Sequence, residues 1–127
     1  MDTLRQKFAV MCIALAFLAV SATAKRVAPK PVAPVISGGI RYSAQGDGRD
    51  EYVVATDVSG GNELWKVKAF HTNMRFWVEE DVQWVFITDL KLADNSLFVK
   101  DEKSRCYSID LTRKNVKKQQ CGGQFSQ

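Results

Sequence analysis

From residue 50 onward the chain is a series of short β-branched and aromatic segments, each bounded by turn-forming residues. This spacing limits the fold more than any other feature. The segments are EYVVATD, LWKVKAF, DVQWVFITDLKL, SLFVKD, CYSIDL and VKKQQC. Runs of this kind at close spacing are typical of antiparallel strands. The sequence therefore predicts an all-β fold, an antiparallel meander of about six or seven strands that forms a small sandwich or barrel.

The third segment, residues 81–92, is apolar at consecutive positions. Trp84, Val85, Phe86 and Ile87 leave no polar face, which predicts a central strand covered on both sides. A short apolar run cannot be told from a buried helix by its periodicity alone, so a helix within residues 78–86 is the alternative.

Hairpin register can be predicted by arithmetic, because paired residue numbers have a constant sum and paired side chains share a face. Four-residue loops at residues 59–62, 93–96 and 112–115 bring apolar partners together in all three hairpins. The predicted pairs are Thr56–Trp65, Val54–Val67, Tyr52–Ala69, Leu92–Leu97, Leu90–Val99 and Leu111–Val116.

The first 24 residues have the pattern of a cleaved secretory signal. Arg5 and Lys7 precede an apolar run, and small residues at Ala22 and Ala24 follow it. The run is shorter than the ~20 residues of a spanning helix, and an uncleaved anchor is the alternative. We expect cleavage after Ala24, a periplasmic or secreted location, and no stable membrane insertion of the mature chain. Residues 25–37, which hold all three prolines, are predicted to form a linker before a single β domain over 38–127.

Cys106 and Cys121 are the two cysteines that remain after the predicted cleavage. The register of the last hairpin places them opposite each other, with Cα atoms about 4.5–5.5 Å apart and within disulfide reach. Exported proteins meet an oxidising compartment, and no CxxC spacing suggests redox activity. The sequence predicts a structural disulfide.

The turn DVSGGNELWKVK, residues 57–68, resembles the blade turn of PQQ-like (quinoprotein-type) β-propellers. There a strand ends on Asp, a short turn follows, and the next strand begins with a hydrophobic residue and Trp. A second copy lies 53 residues further on, where Lys117 replaces the tryptophan. The matching residues are Asp57, Ser59, Gly60, Glu63, Leu64 and Trp65, and then Asp110, Thr112, Asn115 and Val116.

This resemblance implies blade-like hairpins and leaves activity open, because no counterpart of the family's quinone-binding residues is assignable. The chain also resembles small exported bacterial proteins of unassigned function that carry the motif. A closed propeller needs about four to eight blades, and this chain supplies at most two. A self-contained β domain is therefore expected, with a ring of several chains as the alternative, and we expect a monomer.

The segment over residues 71–84 is the richest in chemical groups. Glu79, Glu80 and Asp81 are consecutive, which favours a solvated loop or the first turn of a short helix over a catalytic carboxylate pair. His71 is the only histidine, and zinc sites usually need three or four clustered ligands. The glycine-rich residues 45–51 place Arg49 where a calcium loop needs an oxygen ligand. We predict no catalytic residue, no metal and no cofactor.

A binding surface is the better hypothesis for the same segment. Exposed aromatics beside an arginine are typical contact residues, so Arg75, Phe76, Trp77 and Trp84 are the candidate binding residues. In an extended segment Phe76 and Trp77 would point to opposite sides; the alternative is that both cap the core. The net charge of +4 is not concentrated in a basic stripe, which argues against nucleic-acid binding.

The predicted function is an exported, non-catalytic binding or scaffolding module of the bacterial cell envelope, with an envelope protein as the expected partner. The alternative is a small periplasmic enzyme or enzyme inhibitor that acts through the 71–84 loop.

Overall fold

The computed structural model describes Val27 and residues 29–125, so the predicted signal sequence lies outside the described residues. Two four-stranded antiparallel sheets follow one another along the chain, each a simple meander. A one-turn helix, α1 (Glu80–Gln83), lies between them, and a 3₁₀ turn, Gly123–Phe125, follows the last strand. The strands are β1 (Val35–Ser37), β2 (Ile40–Gly46), β3 (Asp50–Asp57), β4 (Glu63–His71), β5 (Ile87–Ala93), β6 (Ser96–Asp101), β7 (Cys106–Asp110) and β8 (Val116–Gln119).

The sheets pack as a sandwich, which confirms the predicted all-β antiparallel fold. β1 and β2 of the first sheet contact β5 of the second. Residues at alternate strand positions point between the sheets and form the core, as the two-residue period of a strand requires. Its fully buried members include Val53, Ala55, Leu97, Val99 and Ile109. No helix among the described residues is both long and apolar enough to cross a membrane.

The first strand lies earlier than the sequence suggested. Val35–Ser37 was expected to be linker, yet it forms β1 and pairs with β2, and Val32 and Val35 pack against the core. Gly38 and Gly39 form the turn between β1 and β2, both at positive φ. A three-residue strand is too short to show alternation, and its pairing partner supplies its structure.

The prediction of a central strand from residue 81 was wrong. Residues 80–83 form α1, in line with the helix alternative, and the strand begins only at Ile87. β5 is an edge strand of its sheet, with β6 as its only neighbour there. The preceding apolar residues serve a different purpose: Val85 is 1% exposed, and the Trp84 ring packs against Gly48 and Phe86.

The β5–β6 register is confirmed, with Leu92 opposite Leu97 and Leu90 opposite Val99. The β3–β4 register was wrong by one over most of its length, because β4 carries extra residues at Leu64 and Ala69. Each bulge shifts the pairing by one, so Lys66 and Lys68 face the same side as Tyr52. The corrected pairs are Val54–Lys66, Tyr52–Lys68, Ala55–Trp65, Val53–Val67 and Thr56–Glu63.

The β7–β8 register differs from the prediction by two residues. Each side chain therefore stays on its predicted face of the sheet but lies opposite a different partner. Val116 pairs with Ile109 and not with Leu111. The Cys106–Cys121 disulfide is nevertheless formed, with Cα atoms 5.1 Å apart. Cys106 lies opposite Gln119, and Cys121 reaches back from just beyond the strand. The crosslink holds an edge strand whose other residues are mostly polar.

The same turns recur in both sheets. In each turn that joins the second and third, or third and fourth, strand of a sheet, an aspartate Oδ1 accepts the backbone N–H two residues ahead. The four bonds run from Arg49 to Asp47 (2.9 Å), Ser59 to Asp57 (3.0 Å), Lys103 to Asp101 (2.9 Å) and Thr112 to Asp110 (2.8 Å). In the third-to-fourth turns, Gly61 and Lys114 both have positive φ and both donate to the aspartate carbonyl at 2.7 Å. The two sheets thus share a strand order and two aspartate-closed turns.

Candidate binding site

The segment between β4 and β5, residues 72–86, is fixed at its base to the β2–β3 turn. Thr72 N–H donates to the Arg49 carbonyl at 2.7 Å, and Val85 N–H donates to the Gly48 carbonyl at 3.0 Å. The Arg49 guanidinium also forms an ion pair with Glu80 of α1. The segment therefore leaves and rejoins the sandwich at fixed points, and we call it the 72–86 loop.

Gln83 holds the outer part of this loop together. Its side-chain oxygen accepts the Arg75 N–H at 2.7 Å, and its Nε2 donates to the Arg75 carbonyl at 2.9 Å. The same Nε2 lies 3.0 Å from the carbonyl of Val78 and 3.3 Å from that of Glu79. One α1 side chain thus replaces the backbone ladder that an irregular loop lacks.

Phe76 and Trp77 lie at the tip of the 72–86 loop. Their side chains are 95% and 68% exposed, and their rings meet edge to face with centroids 5.0 Å apart. They lie in a turn closed by a Val78 N–H to Arg75 carbonyl bond of 3.2 Å, so they do not point to opposite sides. Neither residue caps the core. Val78 and Val82 beside them are exposed as well.

Trp84, the fourth candidate binding residue, lies at the base of the loop and apart from the tip. It is half-buried, and its ring meets that of Phe86 edge to face, with centroids 6.2 Å apart. A Cβ at Gly48 would lie 2.5 Å from the Trp84 Cβ, so only glycine allows this approach. The structure brings Arg75, Phe76 and Trp77 together and places Trp84 elsewhere.

A cleft of about 610 Å³ opens between the loop and the second sheet. The stacked rings of Phe70 and Tyr107, whose centroids are 5.0 Å apart, form part of its lining. Val78 and Val82 add apolar wall from the loop. Its cationic side chains come from the loop, the β6–β7 turn and β8: Arg75, Lys103, Arg105 and Lys118. His71 of β4 lines it as well. No carboxylate is among the described residues that line it.

His71 and Arg105 each have a carboxylate partner among the described residues. His71 Nδ1 lies 2.6 Å from Asp50 Oδ1, and this bond is the main reason that the pKa of Asp50 is lowered. Arg105 Nε donates to buried Asp101 at 2.8 Å. Burial, with the Asp101 charge as a smaller cause, raises the pKa of Tyr107, so its hydroxyl stays protonated at neutral pH.

The other three cationic side chains, Arg75, Lys103 and Lys118, make no ion pair within the part of the chain that the structure describes. Two of them lie on elements far apart in sequence from the aromatic loop. Sequence reasoning named Arg75 because it adjoins Phe76. It missed Lys103, Lys118 and Gln83, since no local pattern shows which turn or edge strand will face the loop.

The His71–Asp50 pair resembles the base and orienting carboxylate of a hydrolase, but no described hydroxyl or thiol forms a hydrogen bond with His71. No three His, Cys, Asp or Glu side chains among the described residues are grouped to hold a metal ion.

No protein-family model matches the chain, and no curated protein matches its sequence.

Proposed function

We propose that this chain is an exported, non-catalytic binding module of the bacterial cell envelope, and that it binds a partner protein through the 72–86 loop. The observation that carries the proposal is the contacting pair Phe76 and Trp77 at the loop tip, 95% and 68% exposed. Two adjacent exposed aromatics leave apolar area in water that a partner would bury. Aromatic and arginine side chains dominate binding energy at protein interfaces, and Arg75 directly precedes the pair.

The support of the loop favours a binding role. Gln83 and the bonds from Thr72 and Val85 fix the backbone on either side of the aromatic pair. A loop already held in its bound conformation loses little entropy on association, which strengthens binding. The aromatics themselves have only two side-chain torsions each to immobilise.

Export is supported by the signal-like N-terminus and by the Cys106–Cys121 disulfide, which is compatible with an extracellular location. A scaffolding aspect is supported by the repeated meanders, whose aspartate-closed turns agree with the resemblance to PQQ-like propeller blades. Repeats of this kind position loops on a rigid frame.

Photo-crosslinking in bacterial cells tests the proposal. A photoreactive phenylalanine analogue is placed at position 77, and a matched one at Val58, which is 52% exposed on the β3–β4 turn. We expect a discrete protein adduct from position 77 that is absent from position 58 and weakened by Phe76→Ala. Equal adducts from both positions, or none from position 77, would refute the loop as the binding surface.

A further inference from the structure

The cleft beside the loop concentrates positive charge that the described residues neutralise only in part. Its four lysine and arginine side chains converge from three separate elements, and no described carboxylate lines it. The charge of Arg105 is compensated by Asp101, and His71 lies within hydrogen-bond distance of Asp50, as described above. Arg75, Lys103 and Lys118 line the cleft and form no ion pair with any residue that the structure describes. Like charges held together in one concave site repel, and a bound anion would relieve that repulsion.

The dimensions and lining of the cleft suit an extended ligand with apolar parts. A volume of about 610 Å³ is within the range of ligand sites. Val78 and Val82 line one wall and the Phe70–Tyr107 stack another, so a purely ionic ligand would leave apolar wall unused. Arg75 and Val78, which line the cleft, flank the exposed Phe76 and Trp77 in the chain. A ligand in the cleft can therefore continue onto the aromatic pair.

The charges around the loop disfavour an anionic membrane. Glu79, Glu80 and Asp81 directly follow the aromatic tip, and the first two are exposed. Carboxylates there would be brought against anionic lipid headgroups, which oppose such an approach. The basic side chains of the cleft are grouped in one concave site and do not form the extended row along a face that a nucleic-acid backbone would require.

We propose that this cleft binds an acidic peptide segment, with carboxylates at Arg75, Lys103 and Lys118 and with apolar side chains of the peptide against Phe76 and Trp77. The inference deepens the proposed function and rests on it, because it names the chemical class of the partner segment.

Fluorescence anisotropy on the purified oxidised protein tests it. The probe is a labelled synthetic peptide in which glutamates alternate with leucines, compared with the same peptide carrying glutamines. The cleft variant is Arg75→Gln/Lys103→Gln/Lys118→Gln. The control is Lys66→Gln/Lys91→Gln/Lys117→Gln, which removes the same charge from strand positions that alternate with core residues. All six side chains are solvent-accessible, so both proteins should fold.

We expect the glutamate peptide to bind and the glutamine peptide not to. Loss of three ion pairs should raise Kd roughly tenfold in the cleft variant and change it little in the control. Raising the salt from about 0.1 M to about 1 M shortens the Debye length from ~10 to ~3 Å and should weaken binding. An equal loss in both variants would show a response to net charge alone and overturn the proposal.

Two further results would also overturn it. If inorganic phosphate displaces the peptide when both are present at the same concentration of negative charge, the cleft is a site for small anions. Binding to vesicles of anionic phospholipid, without peptide binding, would make the surface a membrane contact. If the peptide fails while crosslinking from position 77 succeeds, the partner class is wrong and the binding module stands. If both fail, the proposed function itself is refuted.

Discussion

The buried carboxylate of Glu51 accepts the backbone N–H of Ile87 at 2.9 Å and so joins the first strand of the second sheet to the first sheet. Its other oxygen accepts the Gly48 N–H at 3.2 Å, at the turn on which Trp84 packs. Glu51 is only 2% exposed. One side chain therefore links both sheets to the base of the 72–86 loop.

The position of Glu51 predicts a pH dependence of stability. Burial raises the pKa of Glu51 above its usual 4.5. At a pH between the unfolded and folded pKa values of Glu51, the folded protein binds more protons than the unfolded protein. The stabilisation from Glu51 is therefore fully present below the unfolded pKa, and it is lost as the pH rises through the folded pKa. Glu51→Gln should flatten that fall in urea titrations at a series of pH values. Glu63→Gln, exposed on β4, is the control; parallel curves for wild type and Glu51→Gln would contradict the prediction.

The disulfide predicts a large effect of reduction. Cys106 and Cys121 close a loop of 15 residues, for which chain entropy gives about 3 kcal/mol of stabilisation. In urea titrations, the free energy of unfolding of the reduced protein should be lower than that of the oxidised protein by about 3 kcal/mol, and its unfolding midpoint should lie at a lower urea concentration. A Cys106→Ala/Cys121→Ala variant should not respond to reductant. If the wild-type midpoint is also unaffected, the crosslink does not stabilise the fold.

The repeated turns predict matched effects in the two sheets. Hydrogen bonds to the charged carboxylate lower the pKa of Asp57, chiefly through Ser59, and of Asp110, chiefly through the Arg113 N–H. Their contribution is present above the unfolded pKa of 3.8 and is lost as pH falls through the lowered value. Asp57→Ala and Asp110→Ala should each lower Tm at neutral pH. The Tm of each variant should also fall less than that of the wild type as the pH is lowered.

Asparagine is the informative control in these turns, because it keeps the Oδ1 acceptor and removes the charge. Asp57→Asn and Asp110→Asn should lose less stability than the alanine variants in calorimetry. A Tm drop confined to one of the two positions would show that the turns, although alike in geometry, are not equivalent in energy.

How far the fold could be predicted from the sequence depended on the turns. The β5–β6 register followed from a tight turn, in which Asp94 takes a positive φ, and from apolar partners on either side. The β3–β4 register failed because the bulges at Leu64 and Ala69 have no local signature. A bulge is stabilised by contacts across the sheet and the core, and those contacts are absent from the sequence pattern.

The residues of the candidate site likewise divide into those that could be predicted from the sequence and those that could not. Arg75, Phe76 and Trp77 were found because aromatic and cationic residues adjoin in the chain. Lys103 and Lys118 reach the cleft only because β6, β7 and β8 pack beneath the loop. Charges that meet through tertiary packing cannot be found from spacing in one sequence.

The exposure of the loop tip predicts that binding and stability are separable. Trp77→Ala should lower Tm by no more than about 4 °C, because surface substitutions usually change the free energy of unfolding by about 0.5 kcal/mol or less and about 1 kcal/mol shifts Tm by about 4–8 °C in a domain of this size. Trp65→Ala should lower the free energy of unfolding by about 3 kcal/mol, since Trp65 packs on the core. Scanning calorimetry compares them; a similar Tm drop in both would make Trp77 a structural residue.

The role of Gln83 predicts that the loop can be loosened without unfolding the sandwich. Gln83→Glu keeps the acceptor for the Arg75 N–H and removes the donor that serves three carbonyl groups, those of Arg75, Val78 and Glu79. Trypsin cuts after arginine, and cleavage of a folded protein follows the population of the locally open state. Loss of one to two net hydrogen bonds should speed cleavage after Arg75 roughly tenfold. Gln45→Glu, exposed on β2, makes the same chemical change away from the loop and should leave the rate unaltered. Unchanged cleavage in Gln83→Glu would mean that the anchors at Thr72 and Val85 alone hold the loop, and the aromatic pair would then owe its fixed position to them.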